Sequence, residues 1–146
     1  MNAATKYPSI PTWHALDDKG RPYGTPQVPL PTEDLIVTEK IDGTNARVIV
    51  APDGDWLVGS REELLTSRGD RIVNPTLGIV AALLHDLLRF RPSQVGLTVY
   101  YVEVYGRGIG RNCREYTGHD RVGWRLFDVL TLHLDLLEGL EASTPE

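Results

Sequence analysis

The sequence contains little cysteine, no long apolar run and few lysines. A single cysteine, Cys113, excludes an internal disulfide framework and favours a reducing compartment, so we expect the protein in the cytoplasm. The longest nearly apolar run, residues 77–84, is far shorter than the ~20 residues of a membrane helix. The first twenty residues also lack the apolar core of a signal peptide. We therefore expect no membrane partner.

The basic residues are twelve arginines but only three lysines, and no lysine follows Lys40. Arginine stays protonated in proteins and cannot serve as an amine nucleophile, so amine chemistry would depend on the few lysines. The net charge of −5 argues against nucleic-acid binding by bulk attraction, although a local basic groove is compatible with it. The four histidines and Cys113 show no metal-ligand spacing, so we predict no metal-binding residues.

The order of predicted elements mixes helices with hairpins and therefore favours an α+β fold over a doubly wound parallel sheet. Proline-rich residues 1–33 predict an irregular N-terminal arm packed on the domain, residues 34–141 the domain itself, and residues 142–146 a polar tail. Periodicity and turn signals predict two helices, one from Asn74-Pro75 to Arg91 and a closing one over Leu130–Glu141. They also predict a hairpin turn at Pro52–Gly54. Strands are predicted over Leu35–Ile41, Asn45–Ala51, Asp55–Gly59, Leu97–Tyr105 and Val122–Val129.

The segment EKIDGTN, residues 39–45, carries the most specific signal. On the predicted strand, Lys40 and Asp42 share one face, which in the plainest interpretation is an exposed ion pair worth about 0–1 kcal/mol. Lys40-Ile41-Asp42-Gly43 also resembles the K-x-D-G signature of ATP-dependent polynucleotide ligases and mRNA capping enzymes. The extended segment is most similar to the RNA ligase 2-like family, whose members often carry histidine at the position of Asp42.

The resemblance implies that Lys40 attacks the α-phosphate of ATP and becomes a lysyl-AMP. Such an amine must be neutral at the moment of attack, which requires a lowered pKa. Gly43 would let the backbone turn tightly beside the nucleotide. The family pattern places Glu39, Ile41, Asp42 and Asn45 in the nucleotide pocket.

Three further segments follow in the order of the family's motifs. Arg61, with Arg68 as the alternative, would hold phosphate through a charged bidentate donor, although a solvated strand-end arginine explains it equally simply. Glu103 would bind the ribose hydroxyls; the alternative is a buried ion pair with an arginine. Phe127 would stack on adenine, worth about 1–3 kcal/mol, unless it belongs to the core.

Two other elements of the family pattern, a Glu-Gly strand and a Lys-x-Lys segment, have no counterpart. Glu138-Gly139 follows Phe127 too closely and is interpreted as a helix end. The chain is then a truncated piece of a longer ligase, a shortened member that lost activity, or a chain completed by a partner. The loop bearing Arg107, Arg111 and Arg114 lacks the spacing of a dinucleotide site but could meet a nucleic-acid backbone.

The resemblance as a whole implies an antiparallel-sheet nucleotidyltransferase domain that is incomplete at its C-terminus. Its expected activity is ATP-dependent sealing of 5′-phosphate to 3′-hydroxyl RNA ends, with ATP and Mg²⁺ as cofactors. The alternative is a degenerate, non-catalytic module of the same fold that binds nucleotide or RNA. A purely structural α+β domain is the third hypothesis.

Overall fold

The computed structural model describes residues 1–26, 28–29, 31–71, 78–109, 116, 121–133 and 135. The chain divides into two compact units. One comprises Met1–Tyr7 together with Ile41–Glu146, and the other comprises Pro8–Lys40. Among the described residues, no helix is both long and apolar enough to cross a membrane.

The smaller unit contains a short antiparallel hairpin of β1 (His14–Leu16) and β2 (Pro22–Pro26). Its turn is closed by Asp17, whose Oδ1 accepts the backbone N–H groups of Lys19 and Arg21 at 2.9 and 2.8 Å. An aspartate that caps its own turn in this way is a strong hairpin signal. The expectation that residues 1–33 have little regular structure is therefore correct only in part.

The predicted strand over Leu35–Ile41 is wrong. The described residues from 31 to 42 contain no strand, and the apolar side chains of the segment are exposed, with Ile36 at 94 %. The β-branched residues favour a strand only where a neighbouring strand and a buried face accept them, and this segment has neither. The argument that Lys40 and Asp42 share one strand face therefore loses its basis.

The larger unit is built on one six-stranded sheet in which every neighbouring pair is antiparallel, in the order β6-β5-β4-β3-β7-β8. This confirms the expected antiparallel sheet. The strands are β3 (Thr44–Val50), β4 (Trp56–Ser60), β5 (Leu64–Ser67), β6 (Asp70–Arg71), β7 (Gly96–Gly106) and β8 (Val122–His133).

The hairpin of β3 and β4 follows the sequence prediction closely. Its turn has Gly54 at φ 88°, in the left-handed region that glycine adopts without strain, and the Gly54 N–H donates to the Ala51 carbonyl at 2.9 Å. β7 also lies where it was predicted. β8 is longer than predicted and includes Leu130–His133, so the predicted closing helix is wrong for those four residues. Residues 136–141 lie outside the described part of the chain.

Helical structure covers one face of the sheet. The helix α1 (Ile79–Leu84) is followed by a 3₁₀ turn at Leu87–Arg89, where one helix up to Arg91 was predicted. Asn74-Pro75 lies outside the described residues. We call this face, against which α1 packs, the α1 face; its buried core includes Val48, Val58, Val102, Val104, Ile79 and Leu83.

The opposite face carries a second, smaller apolar cluster of Ile49, Leu97, Val99 and Tyr101, against which Tyr7 packs. We call it the Tyr7 face. The N-terminal residues Met1–Tyr7 belong to this unit, with a 3₁₀ turn at Ala3–Thr5. Because side chains alternate along a strand, the odd-numbered residues of β3 and β7 point to this face.

Candidate nucleotide-binding site

Gly43 and Glu103 form the best-defined contact among the predicted site residues. The backbone N–H of Gly43 donates to Oε1 of Glu103 at 3.1 Å. A Cβ at residue 43 would lie 2.3 Å from the carbonyl oxygen of Val104, so only glycine allows this approach to β7. The segment after Lys40 is thereby held against the strand that carries the predicted ribose-binding carboxylate.

Asn45 lies directly opposite Glu103 in the β3–β7 register, on the Tyr7 face. Its side-chain Oδ1 is buried and has no hydrogen-bond partner among the described residues. A buried amide oxygen without a donor costs roughly 1–3 kcal/mol, and this oxygen is able to accept a hydrogen bond from a ligand. Asn45 and Glu103 together offer acceptors of the kind that ribose hydroxyls or an adenine amino group require.

Phe127 is the extra residue of a β-bulge in β8, because Tyr101 pairs with Asp128 whereas Val102 pairs with Leu126. A bulge re-aims the side chain that it carries. The ring is 44 % exposed and therefore not a core residue. Its centroid lies 5.0 Å from that of Tyr7, edge to face, which places the ring on the same face as Asn45 and Glu103.

Tyr7 connects the N-terminal segment to this aromatic surface. Its ring lies 4.8 Å from that of Tyr101, and its hydroxyl donates to Oδ2 of Asp128 at 3.0 Å. Burial raises the pKa of the Tyr7 phenol, and the neighbouring Asp128 carboxylate raises that pKa further. No motif in the sequence predicts that an N-terminal tyrosine lies beside Phe127.

The predicted phosphate contact Arg61 follows the last residue of β4, Ser60, as expected. Its Nε lies 3.8 Å from Oε1 of Glu62, and its side chain is about half exposed. The alternative, Arg68, pairs with Asp55 at 3.1 Å. Arg61 follows Ser60, which pairs with Ala46 at the start of β3, so Arg61 lies near Asn45. Arg68 lies at the other end of β4, where its N–H donates to the Trp56 carbonyl.

The residues of the first motif are divided between the two units. Glu39 and Lys40 are exposed and end the smaller unit, whereas Ile41 is buried and begins the larger one. The backbone N–H of Asp42 donates to the Tyr116 hydroxyl at 3.2 Å. The structure thus brings together Gly43, Asn45, Glu103 and Phe127 on one unit.

Arg47 is a residue of the Tyr7 face that the sequence analysis did not single out. It is 1 % exposed on the Tyr7 face, opposite Tyr101, and its Nη2 bonds to Oδ1 of Asn2. Its Nε and Nη1 have no partner in the described part of the chain. Burial lowers the pKa of the guanidinium, an effect that Tyr101 and Glu62 oppose. The available signal was an arginine alone in the apolar run of β3.

The described residues contain no group of three or more His, Cys, Asp or Glu side chains that could hold a metal ion. Magnesium commonly binds through one or two carboxylates and the phosphates of a nucleotide, so a site of that kind needs no such group. Of the arginine loop after β7, Arg111 and Arg114 lie outside the described residues. At Arg107 the backbone N–H donates to the Arg121 carbonyl at 3.0 Å.

The chain matches the model of a protein family over most of its length. The model of the RNA ligase family matches residues 33–143, a segment that contains the first motif, β3, β7 and β8. A search of curated proteins and a search of solved structures each found no match. Because the matched segment covers more than half of the chain, the protein belongs to the RNA ligase family.

Proposed function

We propose that the protein is an ATP-dependent nucleotidyltransferase of the RNA ligase 2-like type, which forms a lysyl-AMP at Lys40 and seals 5′-phosphate to 3′-hydroxyl RNA ends. The observation that carries the proposal is the juxtaposition on one sheet face of Glu103, Asn45 and Phe127. A carboxylate, an amide oxygen without a donor and an exposed ring are the groups that a nucleoside needs. The cytoplasm remains the proposed location.

In the first step the neutral Lys40 amine attacks the α-phosphorus of ATP. The P–N bond forms as the bond to the bridging oxygen breaks, pyrophosphate leaves, and the nitrogen gives up a proton to water. Glu103 accepts hydrogen bonds from the ribose, and Phe127 stacks on the base. Arg61 holds phosphate oxygens through its guanidinium. Magnesium bound to the nucleotide phosphates supplies neutralisation of their charge.

In the later steps the adenylyl group passes from Lys40 to the 5′-phosphate of an RNA end, and a 3′-hydroxyl displaces AMP from it. Each step exchanges one bond to phosphorus for another, so no redox partner is required. The family resemblance assigns assistance in these steps to a Lys-x-Lys segment, and no lysine follows Lys40 in this sequence. We therefore expect the first step to be easier to detect than complete sealing.

The test is the intact mass of the purified chain after incubation with ATP and Mg²⁺. We expect a covalent AMP adduct in the natural sequence and none in Lys40→Ala. Lys19→Ala is the matched control, because Lys19 is exposed in the turn of the β1–β2 hairpin and carries no part of the proposed chemistry. An adduct that survives in Lys40→Ala would contradict the assignment of the nucleophile.

A non-catalytic module that binds nucleotide or RNA ends is the second candidate, because the buried Asn45 oxygen and the exposed Phe127 ring could bind a nucleoside without any chemistry at Lys40. It predicts ATP or RNA binding without any adduct in the same experiment. The equilibrium affinity of Lys40→Ala for RNA separates the two hypotheses further, because a module that binds without chemistry should keep most of its affinity.

A further inference from the structure

Arg47 is a buried cation with incomplete local compensation. It lies next to Gly59 in the β3–β4 register, where a Cβ would come within 2.9 Å of its Nε, so glycine leaves room for the guanidinium. Two of its three nitrogens are unpartnered within the described residues. Burying a charge without its hydrogen bonds normally destabilises a protein. A purely structural role would be served better by an apolar side chain.

Two further cations, Lys6 and Arg61, contact the Glu62 carboxylate, on which the charge of Arg47 also acts. Nζ of Lys6 lies 2.8 Å from Oε2 of Glu62, and Nε of Arg61 lies 3.8 Å from its Oε1. The hydrogen bond from Lys6 lowers the pKa of the Glu62 carboxyl, and the charges of Lys6, Arg61 and Arg47 lower it further. Three positive groups therefore act on this one carboxylate.

We propose that Arg47, Lys6 and Arg61 form a phosphate-binding subsite in which the Glu62 carboxylate stands where a phosphate group binds. Its position rests on the proposed function, because Arg47 is two residues along β3 from Asn45, on the same face. Neighbouring same-face positions of a strand are about 7 Å apart, a distance within the length of a nucleotide. The cations of the subsite come from the N-terminal segment, β3 and the residue after β4.

Phosphate is the anion that fits this cluster. A guanidinium offers parallel N–H donors that match two phosphate oxygens, and a di- or trianionic group attracts these three cations more strongly than one carboxylate does. Access requires the exposed N-terminal residues to move, because Asn2 covers Nη2 of Arg47 and Lys6 holds Glu62. The Asn2 amide also donates to the Glu62 carbonyl at 3.1 Å, so these contacts would be exchanged together.

The test uses inorganic tripolyphosphate as the probe, in buffer free of Mg²⁺, with binding measured by titration calorimetry. We expect Arg47→Met to weaken binding about 10- to 100-fold, since a charge-assisted hydrogen-bonding group is lost. We expect Glu62→Gln to strengthen it about 3- to 10-fold, since a competing negative charge is removed. Arg89→Met is the matched control, because Arg89 pairs with Asp86 beside Trp124 on the α1 face and should leave binding unchanged.

The opposite signs separate a phosphate subsite from a structural anchor. If Arg47 only anchors the N-terminal segment, Arg47→Met lowers the midpoint of thermal unfolding, and Glu62→Gln does not tighten binding; that pair of results overturns the proposal. Should Arg47→Met fail to fold, Glu62→Gln decides alone: tighter binding supports the subsite, and unchanged or weaker binding overturns it.

The phosphate could come from the tail of ATP or from an RNA end. Weaker binding of ATP, with AMP unaffected, in Arg47→Met would assign the subsite to the tail. Weaker binding of a 5′-phosphorylated oligonucleotide, with its 5′-hydroxyl counterpart unaffected, would assign it to the RNA end. Neither result needs the Lys40 adduct, so a chain that binds tripolyphosphate through Arg47 without adenylation would keep this inference and reject the proposed enzyme.

Discussion

The backbone N–H of Gly43 donates to the Glu103 carboxylate at 3.1 Å, and the glycine lies so close to β7 that no side chain fits between them. Gly43 is not among the glycines with a left-handed φ. Its role is therefore close approach to a neighbouring strand, where the sequence suggested conformational freedom in a turn. The contact links the motif that contains Lys40 to β7, the strand that carries Glu103.

Gly43→Ala should destabilise the larger unit. The added methyl would lie 2.3 Å from the Val104 carbonyl oxygen, and relieving such an overlap typically costs about 1–3 kcal/mol. Urea denaturation measures the effect. Gly54→Ala is the control, because its added Cβ would meet open space while its φ is positive. Backbone strain alone should lower the free energy of unfolding by about 1–2 kcal/mol. The nucleotide affinity of this variant should stay unchanged. Equal nucleotide affinities for the two variants would argue against a binding role for Gly43.

Glu103→Gln should retain the fold and lose nucleotide affinity. The amide oxygen can still accept from the Gly43 N–H, so we expect little change in the urea midpoint. The lost charge should weaken ATP binding by about 10- to 100-fold, the range for a hydrogen bond to a charged group. The exposed Glu33→Gln serves as the control, and a Glu103→Gln variant that binds ATP normally would remove this residue from the site.

Phe127→Ala should affect binding more than stability. The ring is 44 % exposed, so its removal leaves no sealed cavity, and the contact with Tyr7 accounts for only about 0.5–1.5 kcal/mol. Loss of stacking should weaken adenosine-nucleotide binding by about 1–3 kcal/mol, whereas Phe127→Trp should preserve it. Phe90→Ala, on the buried α1 face, should do the reverse and cost about 3–5 kcal/mol of stability. A large stability loss in Phe127→Ala would restore the core interpretation.

Acid should destabilise the α1 face through Asp86. The hydrogen bond from the Trp124 indole lowers the pKa of its carboxyl, and the bond from Arg89 and the charges of Arg89 and His85 lower it further. A depressed pKa gives stability that is fully present above the unfolded value of 3.8 and is lost as pH falls through the lower folded value. Thermal unfolding between about pH 5 and pH 2 should therefore decline less steeply in Asp86→Asn. An unchanged slope would mean that other carboxylates control acid unfolding.

The sequence predicted correctly the elements that depend on residues close together in the chain. The β3–β4 hairpin and β7 follow from alternating apolar residues and from a Pro-Asp-Gly turn, whose geometry is fixed within a few residues. The segment Leu35–Ile41 satisfies the same propensity but has no partner strand, and pairing is a property of the whole sheet. Leu130–His133 shows the converse, because β7 extends to Gly96 and accepts four more residues of β8.

The candidate site was predictable where a family motif marks a residue and unpredictable where packing determines its role. The motifs marked Glu103 and Phe127, and the structure places both on one face. Tyr7 and Arg47 are distant in sequence from most of their contacts, Asp128 and Asn2 among them, so only the folded chain relates them to the site. The bulge that re-aims Phe127 also depends on cross-strand register, which no local pattern specifies.

β7 is hydrogen-bonded to β3 on one side and to β8 on the other. Its amides should exchange slowly with deuterated solvent, since they open only when the sheet itself separates. Glu103 therefore lies on a strand that is paired along both edges. The Glu103 carboxylate would already be oriented when a nucleotide binds, so little conformational entropy of the protein would be lost at this contact.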